Sequence, residues 1–319
     1  QYIMGPEISV LEKELSEFVN VKHCITCSSG TDALLMALMA IDVKPGDYVL
    51  TTPFTFIATA EVISLLGAIP DFVDIDNKTF NIDVNQVSRK IKNNPNKYKA
   101  ILPVNIFGLL PDYKTLNDLS IRHDIKIIED AAQSFGASFN DEIACSFGDI
   151  SCTSFFPAKP LGCYGDGGAI FTDNDKYFDI LESIRIHGKG VNQYDNVRLG
   201  INGRLDTMQA AILIPKLRIL NHEIKLRNRA ADLYNNNISE SFVKHHIPDG
   251  NTSVWSQYSI LCDSTDHRKI IMNKLKENNI PSAIYYSIPL HLQKVFEHLG
   301  FREGDFTVSE NISSKILSL

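Results

Sequence analysis

The segment Cys152-Thr-Ser-Phe-Phe-Pro-Ala-Lys-Pro-Leu-Gly-Cys-Tyr-Gly-Asp-Gly-Gly168 places a lysine between an apolar strand and a glycine-rich loop. This lysine, Lys159, follows Phe155 and Phe156, and an apolar environment lowers the pKa of a lysine toward the reactive free amine. Ser154 lies five residues before it and could offer its hydroxyl to a phosphate. The segment predicts a buried, reactive lysine, with an ordinary lysine on a surface loop as the alternative.

Short apolar runs alternate with longer helical patterns on both sides of this segment, which is typical of βαβ units and a mainly parallel sheet. The predicted strands are Tyr48–Leu50, Asp71–Val73, Ala100–Val104, Ile125–Glu129, Ile150–Phe155 and Gly168–Thr172. The predicted helices are Phe56–Leu66, Tyr113–His123, Lys176–Ile186 and a long helix that begins near Leu205.

The long helix is predicted to join two domains. Its apolar residues recur at helical spacing and should pack on the sheet: Met208, Ala211, Ile212, Ile214, Leu217 and Leu220. Asn235-Asn-Asn237 is a predicted break. We expect residues 1–234 to form a large domain that includes the connecting helix, and residues 235–319 to form a smaller C-terminal α+β domain.

Composition excludes several classes of function. The net charge of −7 over 319 residues argues against general affinity for nucleic acid. No apolar run approaches the ~20 residues that cross a bilayer, and the first residues do not resemble a signal peptide. Cys24 and Cys27 form a lone C-x-x-C that cannot complete a zinc site, so a buried strand is expected there and no metal site. A reduced cytoplasmic enzyme is the resulting expectation.

The segment Ser28-Ser-Gly-Thr-Asp-Ala-Leu34 is a candidate phosphate site at the start of a helix. Gly30 permits close approach of the backbone, and Thr31 and Asp32 begin the helix, whose free N–H groups attract anions. An ordinary capped helix is the alternative. The glycine motifs of nucleoside triphosphate and dinucleotide sites are absent from the sequence.

Asp130 falls at the carboxyl end of a predicted buried strand, where open α/β sheets bind ligands. An acid at this place could keep a pyridinium nitrogen protonated, so that the ring acts as an electron sink. A helix N-cap is the alternative.

These features occur in an order that resembles the fold-type I sugar aminotransferases of the DegT/DnrJ/StrS family. The likeness extends over nearly the whole chain, and its narrower form is to members that aminate C3 of a UDP-linked 3-keto-N-acetylhexosaminuronic acid. It rests on Gly5-Pro-Glu7, Pro53-Phe-Thr-Phe-Ile-Ala-Thr59, Gly148-Asp149, Cys152–Thr172, His187-Gly188, Gly200–Asp206, Arg204–Leu213 and Tyr285–His291. The resemblance implies a mainly parallel sheet sandwiched by helices, a smaller C-terminal α+β domain and pyridoxal 5'-phosphate as cofactor.

The resemblance also assigns cofactor-binding roles. Lys159 would hold the cofactor as a Schiff base and then act as the base in a proton shift, and Asp130 would pair with the pyridine nitrogen. Gln133 would lie near the phenolic oxygen, and Phe56 would stack on the ring. The phosphate would be bound by Gly30, Thr31, Asp32 and Ser154, and by Asn202 of a neighbouring subunit in a homodimer with shared active sites.

Substrate roles follow from the same resemblance. Arg204 would contact an anionic part of the substrate, with a structural salt bridge as the alternative, and Tyr285, Tyr286 and His291 would help to bind the nucleotide sugar. The donor would be an amino acid, most often glutamate, and the acceptor a nucleotide-linked ketosugar in polysaccharide or lipopolysaccharide biosynthesis. Neither nucleic acid nor membrane is an expected partner.

Three other functions stay open at this point. The first is the same chemistry at C4 of a 4-keto-6-deoxy sugar nucleotide, and the second is a sugar dehydratase, which Lys159 argues against. The third is a non-catalytic regulatory or binding homologue. The ends of the chain depart from the family pattern, so a trimmed piece of a longer protein is expected.

Overall fold

A computed structural model describes residues 1–192 and 194–319 of the chain. The strands are β1 (His23–Cys27), β2 (Tyr48–Thr51), β3 (Ile69–Phe72), β4 (Tyr98–Ile101), β5 (Lys126–Asp130), β6 (Ser138–Phe139), β7 (Glu142–Ile143), β8 (Ile150–Ser154), β9 (Gly168–Thr172), β10 (Val243–Lys244), β11 (Asn251–Thr252), β12 (Ser259–Leu261) and β13 (Ile316–Ser318). The α-helices are α1 (Pro6–Val19), α2 (Gly30–Ala40), α3 (Ala58–Leu65), α4 (Val84–Asn93), α5 (Tyr113–His123), α6 (Asp175–Arg185), α7 (Thr207–Asn237), α8 (Thr265–Glu277) and α9 (Thr307–Lys315).

The central sheet has seven strands in the order β1-β9-β8-β5-β4-β2-β3. The strands from β8 to β3 in this order are parallel, and β9 runs antiparallel to both β8 and β1. Every residue of β8 and β9 is buried, as expected for strands covered on both faces. The predicted mainly parallel sheet is confirmed, and all six predicted strands are present with ends shifted by a few residues.

Helices cover both faces of this sheet. Successive strand residues point to opposite faces, and Ile127 and Ile128 of β5 accordingly belong to two different cores. The first core contains apolar residues of α1, α4, α5 and α7, and the second contains those of α2, α3 and α6. The arrangement is the predicted sandwich of a sheet between helices.

The long helix α7 buries a different stripe from the predicted one. Leu217 and Leu220 are buried as expected, but Met208 and Ala211 face outward. The buried positions include Ala210 and Leu213 instead, because the face that meets α1 and the sheet starts two residues later than the apolar composition suggested. Our prediction for Met208 and Ala211 was therefore wrong.

Residues after α7 build a second, three-stranded sheet in the order β10-β12-β13. Asp74, which follows β3, is buried and accepts hydrogen bonds from the backbone N–H groups of Val308 and Ser309 in the first turn of α9, each at 2.9 Å. Phe54 and Phe107 share a core with Ile312 and Ile316. The predicted break at Asn235-Asn-Asn237 is wrong, because α7 continues through Asn237. Division of the chain into two domains near residue 234 stays a prediction.

Two smaller expectations concern the cysteines and the membrane. Cys24 and Cys27 are buried in β1, as predicted, and all six cysteines are free thiols. Among the described residues, no helix combines the length and the apolar character that spanning a membrane requires.

A buried carboxylate, Glu129, connects the middle of the sheet to its surroundings. Its side chain accepts hydrogen bonds from Asn105 Nδ2 at 2.8 Å, Ser151 Oγ at 2.7 Å, and the backbone N–H groups of Cys145 at 2.9 Å and Phe147 at 3.1 Å. Burial raises the pKa of Glu129, and these hydrogen bonds oppose that rise. The four donors depend on one acceptor group, so Glu129 holds β5, β8 and the loop between β7 and β8 together.

Replacement of Glu129 by glutamine should destabilise the protein strongly. The glutamine amide would turn an N–H₂ group toward donors, leaving buried N–H and O–H groups unpaired, and we expect the free energy of unfolding to fall by about 3 kcal/mol. Thermal unfolding followed by near-UV circular dichroism measures this loss. Glu277→Gln, at the exposed end of α8, is the matched control. An unfolding midpoint for Glu129→Gln equal to that of the control would contradict the prediction.

Candidate active site

Asp130 ends β5 at the carboxyl edge of the sheet and is almost completely buried. Its Oδ1 accepts a hydrogen bond from the backbone N–H of Ala132 at 3.1 Å, and its Oδ2 accepts one from Thr59 Oγ1 at 2.9 Å. Burial raises the pKa of Asp130, while these two hydrogen bonds and the charge of Lys159 act in the opposite direction. A turn and not a helix follows, which removes the N-cap alternative.

Lys159 lies in the loop after β8, four residues beyond the fully buried Phe155, and is itself partly buried. Its backbone N–H donates to the carbonyl oxygen of Phe156 at 2.8 Å, which forms a tight turn. Burial lowers the pKa of the Lys159 amine, and the carboxylate of Asp130 raises it in part. The partial burial of Lys159 weighs against the alternative of an ordinary surface lysine, and its amine lies within the electrostatic influence of Asp130.

Gln133 and Tyr286 meet beside Asp130. Gln133 is buried, its Oε1 accepts from the backbone N–H of Phe107 at 2.8 Å, and its Nε2 lies 3.0 Å from Tyr286 Oη. Burial raises the pKa of Tyr286, as does the negative charge of Asp130. The contact brings residue 286 from the C-terminal part of the chain to the sheet edge that carries Asp130.

The predicted phosphate turn lies beside Ser154 at the start of α2. Ser29 caps the helix, with its Oγ accepting from the N–H of Asp32 at 3.0 Å. Among the described residues, the N–H groups of Gly30 and Thr31 have no hydrogen-bond acceptor. A Cβ atom on Gly30 would lie 2.6 Å from Ser154 Cβ, so the close approach requires glycine. Free N–H groups, a helix N-terminus and a hydroxyl group therefore converge on one place.

Asp32 has a different environment from the one expected for a phosphate ligand. Its N–H is engaged by Ser29 Oγ, and its Oδ2 accepts from Ser28 Oγ at 2.5 Å. A carboxylate repels an anion, so the geometry favours a role for Asp32 in shaping the turn.

Phe56 lies on the loop between β2 and α3, and 54% of its surface is exposed. Its carbonyl oxygen accepts from the N–H of Thr59, the residue that donates to Asp130. The exposure removes the interpretation of Phe56 as a core aromatic and leaves a free ring close to the residues around Asp130.

Asn202 and Arg204 lie on the segment that precedes α7. Arg204 Nη2 donates to Asn202 Oδ1 at 2.6 Å, and the carbonyl oxygen of Gly203 between them accepts from the N–H of Ser28 at 3.0 Å. This segment therefore borders the phosphate turn of its own chain, while the Asn202 side chain is exposed. Among described residues, Arg204 makes no carboxylate ion pair, which weighs against the salt-bridge alternative.

Tyr285 and His291 differ in their accessibility. The Tyr285 ring is partly exposed and packs on the Tyr286 ring with centroids 5.9 Å apart. His291 is buried, and its Nε2 lies 2.9 Å from Glu310 Oε1, whose carboxylate also accepts from the backbone N–H groups of Gly304 and Phe306. This geometry favours a structural role for His291 over direct contact with a substrate.

Sequence reasoning missed three hydroxyl groups of the site. Ser29 was treated only as a generic cap, and no role was predicted for Thr59 or Thr55, whose Oγ1 atoms lie 3.1 Å apart. The spacing of Thr55 and Thr59 across the start of a predicted helix was the available signal, but it does not indicate the partner, Asp130.

Comparison with known proteins supports the interpretation of this geometry. The model of the DegT/DnrJ/EryC1/StrS aminotransferase family matches residues 1–319. The chain belongs to this aminotransferase family. Its members are dependent on pyridoxal phosphate, and this aminotransferase is a pyridoxal-phosphate enzyme.

Three relatives illustrate the similarity. The UDP-2-acetamido-2-deoxy-3-oxo-D-glucuronate aminotransferase of Pseudomonas aeruginosa is 42% identical over 100% of this chain and 86% of its own length. The UDP-N-acetyl-3-dehydro-alpha-D-glucosamine 3-aminotransferase of Acidithiobacillus ferrooxidans is 38% identical over 100% and 84%. A crystal structure of a DegT DnrJ EryC1 StrS aminotransferase from Brucella abortus is 46% identical, with a TM-score of 0.95 over 100% of this chain and 86% of that one.

The residues of this aminotransferase fit pyridoxal phosphate. The free N–H groups at Gly30 and Thr31 suit a phosphate, and a buried acid, Asp130, suits a protonated ring nitrogen. Lys159 supplies an amine whose pKa is lowered by burial. One anion site, one acid and one amine are the groups that the cofactor requires.

The Lys159 amine of the cofactor-free aminotransferase should become reactive at lower pH than an exposed lysine. Below its pKa an amine is protonated and does not attack, so a lowered pKa moves the onset of reactivity to lower pH. Competitive acetylation with trace reagent, followed by peptide mass spectrometry across pH, gives the curve, with the exposed Lys276 as reference.

Asp130→Asn should move the Lys159 curve further toward low pH, because it removes the charge that raises the pKa of this amine. A Lys159 curve at or above that of Lys276 would contradict the predicted environment. If Asp130→Asn did not shift the pH dependence of Lys159 acetylation, the predicted effect of the Asp130 charge on the pKa of Lys159 would be contradicted.

Proposed function

We propose that this aminotransferase moves an amino group from an amino acid, with L-glutamate as donor, to C3 of a UDP-linked 3-keto-N-acetylhexosaminuronic acid. The observation that supports the proposal is a set of three groups at the carboxyl edge of the sheet: the buried carboxylate of Asp130, the partly buried amine of Lys159, and the N–H groups of Gly30 and Thr31 that have no acceptor among the described residues. Pyridoxal phosphate, when bound, accepts the amino group of the donor and delivers it to the keto sugar.

Asp130 would hold the ring nitrogen in its protonated form. The carboxylate is buried and already accepts two hydrogen bonds, and a third donor with positive charge would offset the cost of burying it. This role requires Asp130 to be ionised. Phe56 would offer its exposed ring to the face of the cofactor ring, where its π-surface would help to hold the ring plane.

Lys159 would hold the cofactor covalently and later act as a base at the carbon atoms between which the proton moves. A lowered pKa suits both tasks, because each needs the neutral amine near neutral pH. Gln133, whose Oε1 accepts from the backbone N–H of Phe107, would donate from its amide to the phenolic oxygen of the cofactor.

At the phosphate end, the N–H groups of Gly30 and Thr31 and the hydroxyl group of Ser154 would bind the phosphate. Asp32 would act through the turn, by its hydrogen bond with Ser28, rather than by touching the phosphate. Backbone N–H groups would therefore supply most of the hydrogen bonds to the phosphate.

The substrate would enter between Tyr285, Tyr286 and Arg204. Arg204 offers a cation for the carboxylate or diphosphate of the sugar nucleotide, and the two tyrosines offer hydroxyl groups and ring faces. His291 would support this region indirectly, since its imidazole is buried against Glu310.

We further propose a homodimer with shared active sites. Large apolar side chains are exposed around the segment of Asn202, which is unusual for a monomer surface: Tyr164, Val191, Leu199 and Met208. Burial of this surface against a second copy would bring the exposed Asn202 to the partner's phosphate site.

Amination at C4 of a 4-keto-6-deoxy sugar is less supported, because both curated relatives described above carry the ketone at C3 in their names. A regulatory homologue without activity would have no need of the Lys159–Asp130 pair. Surface polysaccharide or lipopolysaccharide biosynthesis in the cytoplasm is the proposed setting.

The first test is an absorption spectrum of the protein with pyridoxal phosphate, before and after addition of glutamate. We expect a band of protein-bound cofactor that glutamate bleaches and that the UDP-linked 3-keto uronic acid restores. Lys159→Ala should form no such band, because it lacks the amine, and Lys276→Ala should behave as wild type.

The acceptor assignment is tested by comparing sugars in the same assay. Restoration of the band by a 4-keto-6-deoxy sugar nucleotide, and not by the 3-keto uronic acid, would contradict the proposed substrate. Absence of a band in wild type, with Lys159 intact, would contradict the proposed function as a whole.

The shared site is tested by mixing two inactive variants, Lys159→Ala and Asn202→Ala, under conditions that exchange subunits. Each heterodimer has one intact site out of two, and about half of the dimers in a random mixture are heterodimers. Activity should therefore recover to about a quarter of the wild-type value. A mixture of Lys159→Ala with Lys159→Arg is the control and should stay inactive. No recovery, with heterodimers verified by native mass spectrometry, would contradict a shared site.

A further inference from the structure

The hydroxyl groups of Thr55 and Thr59 form a chain of hydrogen bonds that ends on Asp130, and the mechanism described so far gives neither threonine a role of its own. Both threonines are buried, Thr59 Oγ1 lies 2.9 Å from Asp130 Oδ2, and Thr55 Oγ1 lies 3.1 Å from Thr59 Oγ1. Thr59 belongs to the first turn of α3, and Asp130 belongs to β5, so the contact joins two separate elements.

The order of donors in this chain follows from the chemistry of the groups. An ionised carboxylate only accepts, so Thr59 must donate its single hydroxyl proton to Asp130. Thr59 Oγ1 is then free to accept, and Thr55 donates to it. The arrangement Thr55→Thr59→Asp130 is satisfied when Asp130 is charged. A protonated Asp130 that donated from Oδ2 would reverse the chain.

We propose that Thr59, supported by Thr55, is a positioning residue that keeps Asp130 ionised and fixes the direction of its carboxylate toward the cofactor ring. The inference rests on the proposed function, because it gives the ionised state of Asp130 its purpose.

Thr59 does not act alone on Asp130. The N–H of Ala132 donates to the other carboxylate oxygen, so the two donors together define the carboxylate plane and leave lone pairs for a third donor. The hydrogen bonds from Ala132 and Thr59 both lower the pKa of Asp130 against the larger effect of burial. The titratable groups coupled to Asp130 by charge are Lys159, Tyr286, Tyr113 and Cys152.

The first measurement needs no cofactor. Carbon-13 NMR of apoprotein labelled at the aspartate carboxyl carbons, with the signal of Asp130 assigned by its loss in Asp130→Asn, gives the titration midpoint of this acid. Thr59→Val removes the hydroxyl but keeps the shape, and should move the midpoint to higher pH, because a hydrogen bond that favours the ionised form is lost. Thr59→Ser, which keeps the hydroxyl, should stay near wild type.

Thr172→Val is the matched control. Thr172 is also a buried threonine, but its hydroxyl donates to the carbonyl oxygen of Asp149 and not to the site. Its removal should leave the midpoint of Asp130 unchanged. If Thr59→Val does not fold, Thr55→Val takes its place, with a smaller shift in the same direction.

The second measurement is kinetic. For the reaction with glutamate, Thr59→Val should lower kcat by about tenfold with little change in KM, because the charged hydrogen bond acts mainly on the reacting state. Its acid limb in the pH profile of kcat should move to higher pH, since a raised pKa of Asp130 keeps the acid neutral over a wider range. Thr59→Ser should restore both values.

If Thr59→Val left the titration midpoint of Asp130 and the pH profile of kcat unchanged, the inference would be overturned. It would also be overturned if Thr59→Ser, which keeps the hydroxyl group, shifted both of them as Thr59→Val is expected to do. These outcomes are distinct from failure of the proposed function, in which wild type would not form the cofactor band or react with glutamate at all.

Discussion

The end of β5 places two buried carboxylates side by side on opposite faces of the sheet, and much of the structure serves to accommodate them. Glu129 is satisfied by four protein donors and holds neighbouring elements together. Asp130, the next residue, has two donors and ends the strand at the carboxyl edge of the sheet, where open α/β sheets bind ligands. Because adjacent strand residues point to opposite faces, one charge is used for folding and the other remains available for chemistry.

Burial has opposite effects on the pKa values of Asp130 and Lys159, and the two hydrogen bonds to Asp130 offset only part of its shift. Burial raises the pKa of Asp130 and lowers that of Lys159, so each group is pushed toward its neutral form, while the attraction between them opposes both shifts. A protonated ring nitrogen would replace Lys159 as the cationic partner of Asp130. Lys159 would then lose part of the interaction that raises its pKa, which favours the neutral amine when it must accept a proton.

Sequence patterns predicted the sheet, the covering helices and the neighbourhood of Lys159, because apolar periodicity reports burial directly. The place of Asp130 after the apolar run made it a candidate ligand residue but left a helix N-cap open, and the family resemblance then implied its role; no pattern predicted the structural role of the neighbouring Glu129. The Thr59–Asp130 and Gln133–Tyr286 contacts join residues 71 and 153 positions apart, and no local spacing encodes them. The error at Met208 has a similar origin, because composition gives an apolar stripe but not the rotation of α7.

The site also explains why the cofactor motifs do not determine the sugar. The candidate phosphate turn offers backbone N–H groups beside a glycine, and Asp130 is buried at the carboxyl edge of the sheet, so neither group would distinguish one sugar from another. Tyr285 and Arg204, the residues proposed to contact the sugar nucleotide, come from segments outside the central sheet and are partly exposed. Regiochemistry between C3 and C4 depends on how the sugar is placed against Lys159. Under the proposed roles, these peripheral segments would set that placement, while the buried acid and amine would supply the same chemistry for either carbon.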